Sequence, residues 1–277
     1  PAYGHSVVTG NNYGVRIESN SAPRLGNVSN ANPNDNGLVE FYGNRFYDIY
    51  NDTSARVMAE NNLWHSLDLA AIDNRIFDDN ENPEKGMVDF YPLARFTPDP
   101  PPTPTPTPTR NFEPYPTATP TPVPEVVISA MGAITQNTTW QGTVTVIGNV
   151  TIMDSAVLEI LPGTLIRFRG TDEANNPAKF VIQAMNATIL ARGTRQDPIQ
   201  FLPESFTEEE LNPLDPQRPY GGIVLNGPSM IWSEFTYCEF HLADVGIEAM
   251  DNSVNINDCE FRYNRKGMII RATGAMP

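Results

Sequence analysis

The chain has little cysteine, little positive charge and no long apolar run. Two cysteines, Cys238 and Cys259, in 277 residues exclude a disulfide-dense scaffold. No apolar stretch approaches the roughly 20 residues that a helix needs to cross a bilayer, so no membrane span is expected. Lys and Arg number 18 against 33 Asp and Glu, a formal net charge of −15. A surface of that sign does not attract nucleic acid or anionic lipid. His5, His65 and His241 are scattered, with no triad context. Metal-type Cys/His spacing and a Gly-rich phosphate loop are missing too. The chain starts at Pro1, without an initiator Met or a signal peptide. That start reads as the product of processing, or as a piece of something longer.

What is present begins with proline, 26 residues of it. The tract "TPDPPPTPTPTPTRNFEPYPTATPTPVP" occupies Thr97–Pro124. Proline fixes φ and removes a backbone donor, so this tract cannot join a sheet or helix. It favours polyproline II, and its 28 residues would span roughly 85 Å at about 3.1 Å each. The sequence therefore divides into 1–96, the linker 97–124 and 125–277. Alternating Thr and Pro resembles an O-glycosylated stalk, with Thr103, Thr105, Thr107, Thr109, Thr117, Thr119 and Thr121 as acceptors. A bare semi-rigid spacer is the other reading. Sequons at Asn27, Asn51, Asn137, Asn149 and Asn186 add weak support for glycans and for a place outside the cell or on its surface.

After the linker come short β-rich runs such as Val144–Val146, Val150–Ile152, Leu158–Ile160 and Leu165–Phe168. Each is bounded by Gly, Asn or Pro, the signature of strands and turns. An internal repeat sets the architecture. "YCEFHLADVGI" from Tyr237 and "DCEFRYNRKGM" from Asp258 align Cys238 with Cys259, Phe240 with Phe261 and Gly246 with Gly267, 21 residues apart. A fixed period of that length marks a solenoid. Leucine-rich repeats share the period, but their leucine consensus is missing. The expected class is all-β, a parallel β-helix with Phe240 stacked over Phe261. Cys238 over Cys259 permits either a disulfide or a reduced buried pair.

On these residues, and on "TTWQGTVTVIGNVTIMDSAVLEILPGTLIRF" and "ATILARGTRQDPIQF", the segment from about Val126 to Ile270 resembles the opening part of right-handed parallel β-helix proteins of the pectate-lyase-like kind. The resemblance implies secreted bacterial relatives and a right-handed coil. It implies little about activity, since many chemistries share the scaffold. "NNLWHSLDLAAIDNRIFDDNENPEKGMVDFYPL" is similar to the closing segment of such proteins, with Trp64, a short helix near Ser66–Ile72 and a strand at Val88–Pro92. The physical need for a cap is clear, because an open coil end exposes unpaired strand groups.

The chain thus carries a closing part, a linker and an opening part. If Pro277 were followed by the Pro1 of another unit, "CEFRYNRKGMII" would lead into "SVVTGNNYGVRI". Phe261 would fall on Val8, Asn264 on Asn11, Gly267 on Gly14 and Ile270 on Ile17, with a period of 24. The expected partner is a copy of the chain, head to tail, in a separate subunit or in successive repeats of a longer chain. Tyr3, Val8, Gly14, Ile17, Phe261, Gly267, Ile270 and Met276 would form the junction. The alternative is a fragment of a two-domain surface protein.

Chemistry is sparse. Polysaccharide-degrading β-helices need carboxylates gathered on one face beside a basic residue. Asp251, Asp258 and Glu260 are close in sequence, but no basic residue aligns with them. The turn Asp78, Asp79, Asn80, Glu81 is the one candidate for calcium, against a solvated acidic turn. Trp64, Trp140 and Trp232 are read as cap or core residues before sugar platforms. The long acidic insertion Pro203–Gly222 carries a helical turn near Thr207–Leu211 in this reading. The expectation is a non-catalytic structural component of an extracellular filament or surface layer without a cofactor, calcium apart. Its rival is a carbohydrate-binding adhesin or a polysaccharide-degrading β-helix.

Overall fold

A computed structural model describes residues 6–19, 21–30, 37–94, 127–172, 174, 176–205, 219–228, 231–251 and 253–272. They form a parallel β-solenoid with three strands to a coil, as the alternating runs and Asn/Gly turns require.

The first face runs β10 (Val127–Ile134), β12 (Thr143–Ile152), β14 (Leu165–Phe168), β17 (Ile199–Pro203), β20 (Cys238–His241), β23 (Glu260–Arg262), β1 (Ser6–Thr9), β4 (Val39–Tyr42) and β7 (Leu63–Trp64). The long strand β12 bends at its middle and also opens the second face. That face continues through β15 (Val181–Met185), β18 (Tyr220–Asn226), β21 (Ala243–Met250), β24 (Lys266–Ala272), β2 (Tyr13–Ser19), β5 (Tyr47–Asn51) and β8 (Ile76–Phe77). The third face consists of two separate sheets. One is β11 (Thr138–Trp140), β13 (Val157–Ile160), β16 (Thr188–Arg192), β19 (Trp232–Thr236) and β22 (Ser253–Asn257). The other is β3 (Arg24–Gly26), β6 (Val57–Ala59) and β9 (Val88–Asp89).

Alternation puts every second side chain inside, and in-register stacking turns those side chains into ladders. One ladder climbs the first face through Val144, Ile166, Phe201, Phe240, Phe261, Val8, Phe41 and Trp64. Phe201 and Phe240 stack at 4.5 Å, Phe240 and Phe261 at 4.8 Å, and Phe41 and Trp64 at 5.0 Å. A second ladder climbs the second face through Val150, Ile182, Ile223, Ile247, Met268, Val15, Ile49 and Ile76. Burying each of these large side chains contributes roughly 1.5–3 kcal/mol before ordering costs.

The closing end carries Trp64 and a single-turn helix, α1 (Leu69–Asp73). Asp68 caps it by accepting from the Ala70 N–H at 3.0 Å, and Ile72 is its buried anchor. The helix begins three residues later than the sequence suggests. Ser66 and Leu67 are instead part of the turn out of β7. The strand expected at Val88–Pro92 is shorter, Val88–Asp89.

Candidate functional site

The residues expected to join two units meet in this structure within one chain. Val8 lies opposite Phe261 and Ile17 opposite Ile270, the register read from sequence. Gly14 sits beside Gly267, where a Cβ on Gly267 would come within 2.6 Å of the Gly14 carbonyl oxygen. A Cβ on Gly246 would meet the Gly267 carbonyl at 2.6 Å in the same way. Glycine therefore repeats coil after coil because the backbones approach closely there. Tyr3 and Met276 lie outside the described residues. So do the segments 273–277 and 1–5.

The turn from the first face to the second explains how the seam is locked. The residue after each of four successive first-face strands, β20, β23, β1 and β4, has a positive φ: Leu242 at 65°, Tyr263 at 59°, Gly10 at 66° and Gly43 at 62°. At Gly10 a Cβ would also press on the Tyr263 ring at 2.9 Å. This left-handed step turns the next residue inward, and in three successive coils that residue is Asn264, Asn11 or Asn44. Asn11 and Asn264 are fully buried and Asn44 is 4 % exposed.

The Asn11 Oδ1 accepts from the Asn264 backbone N–H at 3.0 Å and from its amide at 3.1 Å. The Asn11 amide donates to the Phe261 carbonyl at 3.0 Å and to the Asn44 Oδ1 at 3.0 Å. Asn264 donates to the Phe240 carbonyl at 2.9 Å, and Asn44 to the Val8 carbonyl at 2.9 Å. This asparagine ladder crosses the seam with every rung satisfied. Ser6 adds its hydroxyl as acceptor for the Cys259 N–H at 3.2 Å, and the Ser21 hydroxyl donates to the Ile270 carbonyl at 2.9 Å.

Cys238 and Cys259 are free and buried. Their thiols donate to backbone carbonyls, Cys238 to Ala191 at 3.5 Å and Cys259 to Asn257 at 3.2 Å. Burial, reinforced by Cys259 next to it, pushes the Cys238 thiol well up, and both side chains are packed in the interior.

The turn Asp78–Glu81 is satisfied from within. Asp78 is 2 % exposed and accepts from Asn80 N–H at 3.0 Å and Val88 N–H at 2.8 Å. Glu81 accepts from the Asp78 N–H at 3.0 Å, and the Asn80 amide donates to Asp73 at 3.0 Å. Among the described residues no group of three or more His, Cys, Asp and Glu is arranged to hold a metal ion.

Of the sequons, Asn137, Asn149 and Asn186 are exposed and Asn27 is half-buried. Asn51 corrects the expectation. It is fully buried, and its amide donates to the carbonyls of Ala55 at 2.9 Å and Gly86 at 2.7 Å, so in the folded chain it is a turn-locking residue. The threonine acceptors at 103, 105, 107, 109, 117, 119 and 121 lie outside the described residues, as does the Thr207–Leu211 turn. Trp64 is 8 % and Trp140 3 % exposed, while Trp232 stands out at 44 %.

Sequence reading missed one cluster. Stacking places Glu239 opposite Glu260, and His241 opposite Arg262, on the outer side of the first face. The Gln200 amide donates to Glu239 at 2.7 Å, and Arg262 reaches Glu260 at 2.5 Å. Burial raises the Glu260 carboxyl, with Glu239 adding to the shift and Arg262 opposing it. Burial lowers His241, helped by Arg262 and opposed by Glu239. The 21-residue alignment carried the signal, for it pairs Glu239 with Glu260.

Comparison with protein-family models, with curated proteins and with solved structures gives no match.

Proposed function

We propose that this chain is a structural unit of an extracellular or cell-surface assembly in which successive β-helices are built head to tail. Residues 125–277 of one unit are completed by residues 1–96 of the next. The seam carries the reading. Its two apolar ladders and its asparagine ladder pass from one segment to the other without a change of register. An interface so complete suits either the same chain or a neighbour, because nothing in it depends on which linker leads to it.

Chain length leaves both routes open. From β10 to β7 the first face rises eight coil steps, about 38 Å. The 32 residues between Ala94 and Val127 have a reach of roughly 110 Å. One chain can therefore close on itself, and effective concentration favours that at high dilution. Crowding, or covalent tandem repeats with Pro277 leading into Pro1, favours the exchange.

The test uses two tagged populations, one carrying Val7→Cys and the other Glu260→Cys, opposite each other across the seam. They are refolded together over a range of concentrations and treated with a short bifunctional maleimide. The reading expects mixed-tag adducts that grow with concentration and extend into ladders. The absence of mixed-tag adducts at every concentration, while a third chain carrying both substitutions cross-links within itself, overturns it.

A second reading, a β-helix that binds or cleaves polysaccharide, draws support from the Glu239/Glu260 pair beside His241 and Arg262. Two adjacent carboxylates with one raised are the raw material of glycoside hydrolysis. Turnover of a polysaccharide that disappears in Glu260→Gln would establish this reading. Equal activity in the variant would dismiss it.

A further inference from the structure

At the closing end, β7, the turn into α1 and the segment that follows β9 frame an open cavity of about 900 Å³. Its walls include Trp64, Leu67, Leu69, Tyr91 and Ala94. Three of these are apolar side chains left outward: Leu67 is 83 % exposed, Tyr91 64 % and Leu69 46 %. Trp64 is the opposite case. It is 8 % exposed, stacked on Phe41 at 5.0 Å, and its indole Nε1–H is buried without an acceptor among the described residues. A buried donor is costly to leave unmatched, and this one belongs to a residue that forms the cavity wall.

The site thus offers aromatic and aliphatic walls and one indole donor seeking a carbonyl. That set matches the recognition of proline-rich chains. Polyproline II has no internal hydrogen bonds, so its carbonyls are free to accept, and its pyrrolidine rings pack on aromatic and aliphatic surfaces. The chain carries such a sequence. Ala94, held by its N–H to the Asn62 carbonyl at 3.0 Å, lies in the cavity wall, and the Pro/Thr tract begins at Thr97.

We propose that this cavity is a docking site for the Pro/Thr tract of the same chain, with the Trp64 Nε1–H donating to one of its carbonyls. Docking would anchor the linker at the closing cap and cover Leu67, Leu69 and Tyr91. The inference is independent of whether the seam closes within a chain or between chains.

The indole N–H groups of Trp64, Trp140 and Trp232 are followed by ¹⁵N NMR, with Trp64→Phe assigning the first. The native chain is compared with a variant whose tract prolines are all replaced by Gly and Ser at equal length. Unchanged Trp140 and Trp232 signals show that the fold persists. The proposal expects the Trp64 indole proton to exchange with water at least tenfold faster in the variant. A synthetic Thr-Pro repeat peptide added to the variant should reverse the change saturably. Identical exchange and chemical shift in the two chains overturn it and leave water as the acceptor. So does a Trp64 signal that follows protein concentration and persists in the Gly/Ser variant, which assigns the cavity to another copy's opening end.

Discussion

The two segments of the solenoid share one architecture but are held by different forces. In residues 127–272 the interior is almost wholly apolar, with Thr164, Ser233 and Asn264 as its fully buried polar side chains among the described residues. In residues 6–94 polar side chains go inside at nearly every turn: Ser6, Thr9, Asn11, Ser21, Asn44, Asp48, Asn51, Thr53, Glu60, Asn62 and Asp78. Most of them bond to backbone. Asn62 donates to the Leu25 and Ala59 carbonyls at 3.0 and 2.8 Å and accepts from the Val39 N–H at 2.9 Å. The closing strands are short, two or three residues in β3, β6, β7, β8 and β9. A short strand buries little apolar surface and leaves many backbone groups at its ends. Side-chain amides and carboxylates take up those groups. The opening segment is thus set by apolar register, and the closing segment by polar satisfaction. The seam uses both.

Substitutions at the seam separate the two forces. Phe261→Ala removes a fully buried ring between Phe240 and Val8, and should cost about 3–5 kcal/mol in urea unfolding. Asn11→Ala strips the acceptor from the Asn264 N–H and the donor from the Phe261 carbonyl. It should cost about 2–3 kcal/mol and accelerate hydrogen exchange at Asn264. If the polar substitution costs as much as the aromatic one, the seam belongs with the closing segment in character. If Asn11→Ala costs nothing, the ladder is ornament and apolar stacking alone sets the register.

Acid titration gives the smallest expected effect, and its sign differs between the segments. Asp48, in the closing segment, has its carboxyl raised by burial, although Asn44 and Arg75 pull the other way. The fold therefore disfavours its ionised form. Stability is fully retained below its ordinary value of 3.8 and declines as pH rises through the window up to the raised one. Asp244, in the opening segment, is also penalised by burial, yet Arg265 and Lys179 hold it below its ordinary value. Arg265 binds it through two nitrogens, at 2.6 and 2.8 Å. Its contribution is present above the ordinary value and is lost as pH falls through the lowered one. Urea midpoints measured across the acid range should flatten in opposite senses in Asp48→Asn and Asp244→Asn. Slopes that change in the same sense refute the contrast.

Much of the coil pattern was open to reading because its period is short and its rules are local. Phe240 over Phe261, Val8 opposite Phe261 and Ile17 opposite Ile270 follow from aligning equal letters at a repeat. Trp64 and a short helix at the end were what the resemblance to β-helix closing segments implied, and the need to cover an open coil is the physical reason for such a cap. The Asn51 sequon misled because a three-residue motif carries no information on burial. Asn11, Asn44 and Asn264 could be aligned as turn residues, but their hydrogen bonds reach into neighbouring coils. The Glu239/Glu260 and His241/Arg262 pairs escaped because their members are 21 residues apart, where a search among sequence neighbours does not join them.

The sequence by itself determined the class of fold and the register at which residues 6–19 fit onto residues 260–272. Each depends on alternation or a repeated spacing, both written along the chain. Only the tertiary structure decided which polar residues are buried, which carboxylates share a face and where an indole donor lacks its acceptor. Those properties depend on atoms brought side by side by stacking, up to 253 residues apart in the case of Asn11 and Asn264. Stacking also placed the seam within a single chain, because a solenoid end accepts any segment that matches its register, its own included.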